Sequence, residues 1–176
     1  LILFNNIGEF VARSTIPIPL EYNKTKRVEI TPQDSWVKTG DYGYKDQNGF
    51  YYYVGRKSDI INSHGETFFA SEIENFVNSH PFVLESAAIG IKNSELSEDI
   101  KLCVKLKKAG SITPKDLHEF LNLNLANFMV PRYIEIREEL PKTSTSFIKK
   151  NLLRKEWEEK ITQENTWDAK TKKLIK

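Results

Sequence analysis

The first 55 residues carry short apolar and aromatic runs separated by turn residues. Residues 7–13 and 36–39 predict strands, and the second of these leads into a turn at Gly40-Asp41. Gln-Asn-Gly at 47–49 predicts a hairpin, followed by an aromatic strand over 50–54. This stretch is short for an independent core, so exposed aromatic side chains here would mark an interface with a larger neighbouring domain.

From about residue 56 onward, helical and strand periods alternate. Residues 83–91, 100–106 and 133–137 predict strands, with helices between and after them. The predicted fold class is therefore α+β, a small central sheet with packed helices, preceded by the β-rich end of another domain. The predicted organisation is a β-rich segment over 1–55, an α+β domain over 56–160 and a polar tail over 161–176.

Two of the predicted helices have start signals. Ser71 and Glu74 match a capping box, in which a serine oxygen and a glutamate side chain satisfy each other's backbone N–H groups. Thr113 precedes Pro114, a residue favoured in the first turn of a helix. The apolar positions expected on one face are Ile73, Phe76 and Val77 in the first helix, and Leu117, Phe120, Leu121 and Leu125 in the second.

A third helix is predicted over about 148–160, with Leu152 and Trp157 as candidates for its inner face. The tail from Thr162 is polar and rich in lysine, so we expect it to be solvated or frayed.

Composition excludes several classes of function. The formal net charge of +2 gives no support for nucleic-acid binding. No run of 18 apolar residues is present, so no membrane span is expected. The single cysteine, Cys103, excludes an internal disulfide framework and is expected to be a buried core residue. The 3 histidines have no metal-ligand spacing, and no metal site is predicted. These features fit a cytoplasmic protein.

Five short motifs follow one another in a fixed order. They are Thr39-Gly40-Asp41, Gly55-Arg56-Lys57-Ser58-Asp59, Ser63-His64-Gly65-Glu66, Val130-Pro131-Arg132 and Leu140-Pro141-Lys142-Thr143. The ordered set resembles the C-terminal part of the adenylate-forming superfamily, which includes acyl-CoA synthetases, and the resemblance covers residues 7–154. The chain begins at Leu1 instead of methionine, and we expect it to be a piece of a longer protein.

Asp41 and Arg56 are the predicted nucleotide-binding residues. A carboxylate at a glycine turn can accept hydrogen bonds from ribose hydroxyls, and arginine offers a fork of donors for ribose and phosphate oxygens. The resemblance implies that both contact AMP. The alternatives are that Asp41 only stabilises its turn and that Arg56 forms a surface ion pair with Asp59.

The resemblance also implies a moving domain. In the family, a large N-terminal domain binds ATP and an acid, and the small C-terminal domain rotates between a pose for acyl-AMP formation and one for transfer to a thiol. Ser58 stands at the usual hinge position; the alternative is that this segment is simply a loop. Ser63, His64, Gly65 and Glu66 match the loop beside the pantetheine channel, where His64 replaces a glycine; the alternative is that His64 is only a surface residue of the loop.

One position departs from the family pattern. The adenylation lysine, which reaches the acid carboxylate and the α-phosphate, is replaced by Phe147, after Ser146 in place of glycine. Lys149 is a candidate substitute, although it and Lys150 each need a backbone shift to reach the same point. The alternative is that both are solvated lysines at a helix start.

The first hypothesis is therefore the C-terminal region of an acyl-CoA synthetase-like ligase, inactive alone. The complete enzyme would use ATP with Mg²⁺, a small carboxylic acid, and the thiol of CoA or a carrier protein, with Gly65-Glu66 favouring CoA. Its partner would be the missing N-terminal domain. The second hypothesis is a degenerate, non-catalytic interaction module derived from that family.

Overall fold

The computed structural model describes residues 7–13, 15, 34–93, 97–161 and 166–175. The chain divides into two compact units, Leu1–Ser58 and Asp59–Lys176. Among the described residues, no helix is long and apolar enough to cross a membrane.

The first unit is a three-stranded antiparallel sheet in the order β1-β2-β3. Its strands are β1 (Gly8–Arg13), β2 (Trp36–Lys45) and β3 (Tyr51–Arg56). The predicted hairpin joins β2 to β3. Asp46 stabilises it, because its carboxylate accepts the N–H groups of Asn48 at 2.9 Å and Phe50 at 2.8 Å.

Gly40 lies in a bulge of β2, whereas the sequence predicted a turn that ends a short strand. Glu9 pairs with Tyr42 and Val11 with Lys38, so β2 takes four steps where β1 takes two. The φ of +78° at Gly40 is the left-handed conformation that glycine adopts most easily, and it lets β2 bulge and continue.

Several aromatic residues of this unit are exposed, as expected from the sequence. The side chains that are most exposed are Trp36 at 65%, Phe50 at 65%, Tyr51 at 63% and Tyr53 at 61%.

The second unit contains a five-stranded mixed sheet in the order β10-β9-β8-β7-β6 and a two-stranded hairpin. The hairpin is β4 (Ile60–Ser63) with β5 (Glu66–Phe69), and the sheet strands are β6 (Val83–Lys92), β7 (Glu98–Leu106), β8 (Tyr133–Arg137), β9 (Thr166–Asp168) and β10 (Lys173–Leu174). The helices are α1 (Ala70–Asn78), α2 (Pro114–Asn124) and α3 (Lys150–Glu158). The predicted α+β class is confirmed.

Side chains alternate across this sheet and build a core on each face. Leu102 and Val104 pack with α1 and α2 on one face, while Cys103 packs with Leu153 of α3 on the other. Cys103 is fully buried, as predicted, and burial raises the pKa of its thiol to about 12.

The first helix starts differently from the prediction, and the second starts as predicted. Helix α1 begins at Ala70, and Glu72 accepts the N–H of Phe69 at 3.0 Å. The predicted Ser71–Glu74 capping box is wrong, because Glu74 instead accepts the N–H of Ala88 at 2.7 Å, on edge strand β6. In α2, Thr113 accepts the N–H of Asp116 at 3.2 Å, directly before Pro114.

Two expectations near the C-terminus are wrong. Leu153, which is fully buried, is the inner residue of α3, whereas Leu152 is 37% exposed; Trp157 packs against Tyr133 with 4.7 Å between ring centroids. The tail is not simply solvated, because Thr166–Asp168 is buried and pairs with β8. This pairing joins distant parts of the chain, and a polar composition does not reveal it. Thr162 lies outside the described residues.

We expect this unit to lose stability as the pH falls through the ordinary histidine range. Burial, with Lys107 adding to it, lowers the pKa of His80, whose Nδ1 accepts the N–H of Phe82 at 3.3 Å. The unfolded chain therefore binds a proton at a higher pH than the native chain, and the free energy of unfolding decreases below about pH 6.5. Urea unfolding at pH 7 and at about pH 5.5 should show this decrease, and His80→Gln should reduce it. An unchanged difference in the variant would contradict the assignment.

Candidate functional site

Asp41 and Arg56 occupy facing positions on β2 and β3, which brings the two predicted nucleotide-binding residues together. The Nε of Arg56 lies 3.3 Å from Oδ1 of Asp41, with the side chains 67% and 35% exposed. Arg56 thus pairs with Asp41, and the alternative pairing with Asp59 is not the one formed. Exposed ion pairs of this kind add little to stability, so a ligand can replace either contact at small cost.

The Thr39-Gly40-Asp41 motif holds its own bulge in place. The Thr39 hydroxyl donates to the carbonyl of Phe10 at 2.9 Å and accepts the N–H of Asp41 at 3.1 Å. Glu9 accepts the N–H of Gly40 at 3.1 Å. The backbone beside the Asp41 carboxylate is therefore fixed at several points by this sheet.

Ser58 is the last residue of the first unit. It lies in a 3₁₀ turn, Lys57–Asp59, that follows directly after β3. The predicted hinge position therefore coincides with the division between the two compact units.

The Ser63–Glu66 segment is a tight hairpin turn between β4 and β5. His64 at φ +52° and Gly65 at φ +83° are both left-handed, as a type I′ turn requires. Ser63 Oγ lies 2.9 Å from His64 Nδ1, and the backbone N–H of His64 donates to Ser97 at 3.1 Å. The Ser63–Glu66 loop is thus a tight, hydrogen-bonded turn with an exposed histidine at its tip.

This turn borders a cleft of about 640 Å³ that also contains the Val130-Pro131-Arg132 motif. The residues that line the cleft with polar side chains include His64, Ser97, Asp99, His118, Arg132 and Lys170. Arg132 donates from Nη1 to Asp99 at 2.6 Å and from Nε to Asp168 at 3.2 Å. Burial lowers the pKa of His118, while Glu119 opposes the shift.

Sequence reasoning missed Asp99 and Asp168 as partners of Arg132. Asp99 lies on β7 and Asp168 on β9, the two strands that flank β8. Arg132 directly precedes β8. No local motif marks either residue. Only the pairing of these strands could have indicated that the two carboxylates approach Arg132.

Phe147 lies in an exposed hairpin between the bridged residues Lys142 and Ile148. Ser146 donates its N–H to the carbonyl of Thr143 at 3.0 Å, and Thr143 donates to the carbonyl of Phe147 at 2.8 Å. Ser146 has a φ of +66°, as expected for a type I turn followed by a left-handed residue. Phe147 is 72% exposed.

Glycine at position 146 should therefore stabilise the protein. A side chain in the left-handed region costs about 1–2 kcal/mol, and part of the gain is offset by the greater freedom of glycine in the unfolded chain. We expect Ser146→Gly to raise the free energy of unfolding by about 1 kcal/mol. The matched control is Ser144→Gly, at a loop residue without positive φ, which should lower it or leave it unchanged. Urea unfolding of both variants is the measurement, and a gain of equal size in both would contradict the argument.

The two lysines that follow the hairpin differ in their surroundings. Lys149 has an exposed side chain, and its N–H donates to the carbonyl of Pro141 at 2.8 Å. The ammonium of Lys150 lies 2.8 Å from Glu74 and 3.3 Å from Asp59, and its side chain is 14% exposed. The alternative of two solvated lysines is wrong for Lys150.

Comparison with known proteins identifies the domain. Residues 72–146 match the family model of the AMP-binding enzyme C-terminal domain. A crotonobetaine/carnitine–CoA ligase of Escherichia coli ATCC 8739 is 37% identical over 131 residues, which are 74% of this chain and 25% of the ligase. The same ligase of Salmonella arizonae is 41% identical over 120 residues, 68% of this chain and 23% of that protein.

Solved structures agree with this result. ATP-bound MatB from Rhodopseudomonas palustris matches with a TM-score of 0.66 and 29% identity over 70% of this chain and 25% of MatB. The o-succinylbenzoate CoA synthetase MenE of Bacillus subtilis, in complex with OSB-AMP, matches with a TM-score of 0.67 and 26% identity over 86% of this chain and 31% of MenE. The chain spans about a quarter of the length of the curated relatives it matches. It belongs to the AMP-binding enzyme C-terminal domain family of the adenylate-forming enzymes.

Proposed function

We propose that this chain is the C-terminal region of an acid–thiol ligase of the acyl-CoA synthetase type. The complete protein would join an acid carboxylate to the α-phosphate of ATP, with release of pyrophosphate. It would then transfer the acyl group from acyl-AMP to a thiol, with release of AMP. The acid is expected to be a small carboxylic acid chosen by the N-terminal domain.

The observation that carries this proposal is the pair of Asp41 and Arg56. These residues are separated in sequence but face each other across β2 and β3 at 3.3 Å. A carboxylate and a guanidinium side by side match the needs of a nucleotide, which presents ribose hydroxyls as donors and ribose and phosphate oxygens as acceptors. Both side chains keep enough exposure to exchange their mutual contact for a ligand.

In the second half-reaction, the tight turn at Ser63–Glu66 would lie beside the narrow pantetheine arm that carries the thiol. Gly65 supports this role because its backbone leaves open space where a side chain would stand. The proposed acceptor is CoA, with a carrier-protein thiol as the alternative. Rotation about Ser58 would exchange the two poses of the domain.

Adenylation by this protein would be slow. A positive charge aimed at the developing negative charge is the usual means of accelerating such a step, and Phe147 cannot supply one. Mg²⁺ is expected to accompany ATP as a neutralising ion. The described residues contain no group of three or more His, Cys, Asp or Glu side chains that could hold a metal, so we assign no residue of this chain to it.

The test is acid-dependent formation of acyl-AMP by the full-length protein, measured with a broad panel of acids. The isolated chain should stay at background in ATP–pyrophosphate exchange, because it lacks the proposed ATP-binding domain. In the full-length protein, Asp41→Ala and Arg56→Ala should each raise the KM for ATP. Arg13→Ala is the matched control, since it removes an exposed arginine that pairs with Asp34 at 3.5 Å in the same unit. Equal KM values in all variants would contradict the assignment.

The second candidate is a non-catalytic interaction module, and the exposed aromatic ring of Phe147 on the hairpin favours it. Such a module would make no acyl-AMP with any acid, and Phe147→Lys would not create the activity. Binding of a partner protein that is lost in Phe147→Ser would support this candidate.

A further inference from the structure

Four charged side chains form a compact cluster inside the second unit, named here the Lys150 cluster. Its members are Asp59, Glu74, Lys150 and Arg154. The ammonium of Lys150 lies 2.8 Å from Glu74 Oε1 and 3.3 Å from Asp59 Oδ2. Arg154 approaches the other oxygen of Asp59 at 3.5 Å. The cluster thus joins two carboxylates to two cations.

The members of the cluster come from separate segments of the second unit. Asp59 directly follows Ser58 and is the first residue of the second unit. Lys150 is the first residue of α3, just after the hairpin that carries Phe147. Glu74 is fixed in turn, because it accepts the N–H of Ala88 on the edge strand β6.

The cluster is largely shielded from water. The side chains of Lys150, Glu74 and Asp59 are 14%, 13% and 19% exposed, and that of Arg154 is 27% exposed. Removing one partner from a shielded ion pair leaves a charge that lacks both water and its counter-ion, which is costly. The exposed pair of Lys155 and Glu159 on the same helix, at 3.6 Å, is expected to add much less.

We infer that Lys150 is a positioning residue that locks the segment after Ser58 to the hairpin carrying residue 147. Because Lys150 holds both Asp59 and Glu74, the residue that follows the hinge, helix α1 and the start of α3 behave as one rigid piece. Any rotation about Ser58 then moves Asp59 and the hairpin together as one rigid body. This role in the reaction rests on the proposed function, while the lock itself does not.

The same geometry separates the two lysines next to Phe147. Lys150 cannot replace a missing adenylation lysine without leaving two carboxylates, whereas the side chain of Lys149 is exposed. Lys149 therefore stays the candidate substitute, and Lys150 acts through the position of the hairpin.

The lock can be tested on the 176-residue chain by hydrogen exchange. Asp59→Asn and Lys150→Met should each accelerate amide exchange in residues 143–149 on the order of tenfold, while the amides of β7 keep their rates. Lys155→Met is the matched control and should leave residues 143–149 unchanged. Trypsin cleavage after Lys57, followed by mass, should also be faster in Lys150→Met than in Lys155→Met. Uniform acceleration across the second unit, or none in residues 143–149, would refute the lock.

The role in the reaction needs the full-length protein with Phe147→Lys, so that a lysine stands on the hairpin. Adding Lys150→Met should lower the rate of acyl-AMP formation about tenfold, the same factor as the expected loss of exchange protection in residues 143–149. Adding Lys155→Met should leave the rate unchanged. Transfer from supplied acyl-AMP should change less. An equal loss in both half-reactions would contradict positioning. If Phe147→Lys makes no acyl-AMP, the proposed function fails, and the exchange experiment still decides whether the lock exists.

Discussion

Replacing Phe147 by lysine in the full-length protein should raise the rate of acyl-AMP formation on the order of 10²-fold, the scale of one transition-state donor. The physical reason is charge, because negative charge builds on the α-phosphate oxygens as the acid carboxylate attacks and pyrophosphate departs. Phe147 directly follows the turn of an exposed hairpin, and its side chain is 72% exposed, so a longer cationic side chain has room to extend there. A quench experiment that measures acyl-AMP in single turnover separates this step from thiol transfer.

Three comparisons sharpen the experiment. Phe147→Leu, which changes size without adding charge, should not raise the rate. Transfer from supplied acyl-AMP should be similar in Phe147→Lys and the parent protein. Adding Ser146→Gly should increase the gain if the left-handed serine restrains the approach of the loop. A fast parent reaction that collapses in Lys149→Ala would show that Lys149 supplies the charge and would contradict the role assigned to position 147.

The second large effect concerns stability. Glu135→Gln should lower the free energy of unfolding by about 3 kcal/mol, the cost of breaking a buried ion pair. Lys101 is fully buried, and its ammonium lies 2.7 Å from Glu135 and 4.7 Å from the ring centre of Trp157. The variant keeps the shape of the side chain but removes the negative charge that faces both Lys101 and Arg137, which lies 2.8 Å from Glu135. Urea unfolding at pH 7 is the measurement.

The chain offers a matched control for this change. Glu139 pairs with Lys105 at 2.6 Å, but its side chain is 75% exposed, so Glu139→Gln should cost less than about 1 kcal/mol. Replacing both members of the pair, in Lys101→Met with Glu135→Leu, should recover part of the loss, because the Lys101 cation is gone and Arg137, which loses its contact with Glu135 at 2.8 Å, keeps Glu156 at 2.7 Å. Losses of similar size in Glu135→Gln and Glu139→Gln would show that burial does not determine the effect.

Signals that act over a few residues were sufficient for part of this structure. The hairpin at 47–49 and the start of α2 at Thr113-Pro114 depend on neighbours in sequence, and both form as predicted. The strand-like runs over residues 83–91, 100–106 and 133–137 form β6, β7 and β8 as predicted. The ordered motifs indicated the domain family, which the comparisons confirm.

Contacts between distant residues decided the rest. Glu74 leaves its expected capping role because an edge-strand N–H competes for it, and helical periodicity did not distinguish Leu152 from Leu153 as the inward residue. The polar tail supplies a strand because β8 has a free edge for it, and this strand brings Asp168 to Arg132.

The candidate site, too, depends partly on the local sequence and partly on the tertiary structure. The sequence by itself determined which residue types are present, including a phenylalanine at position 147. Only the tertiary structure decided that Asp41 faces Arg56 and that Lys150 is committed to Asp59 and Glu74. The physical reason is that strand register and helix packing set the distances between charges, and no local pattern encodes them.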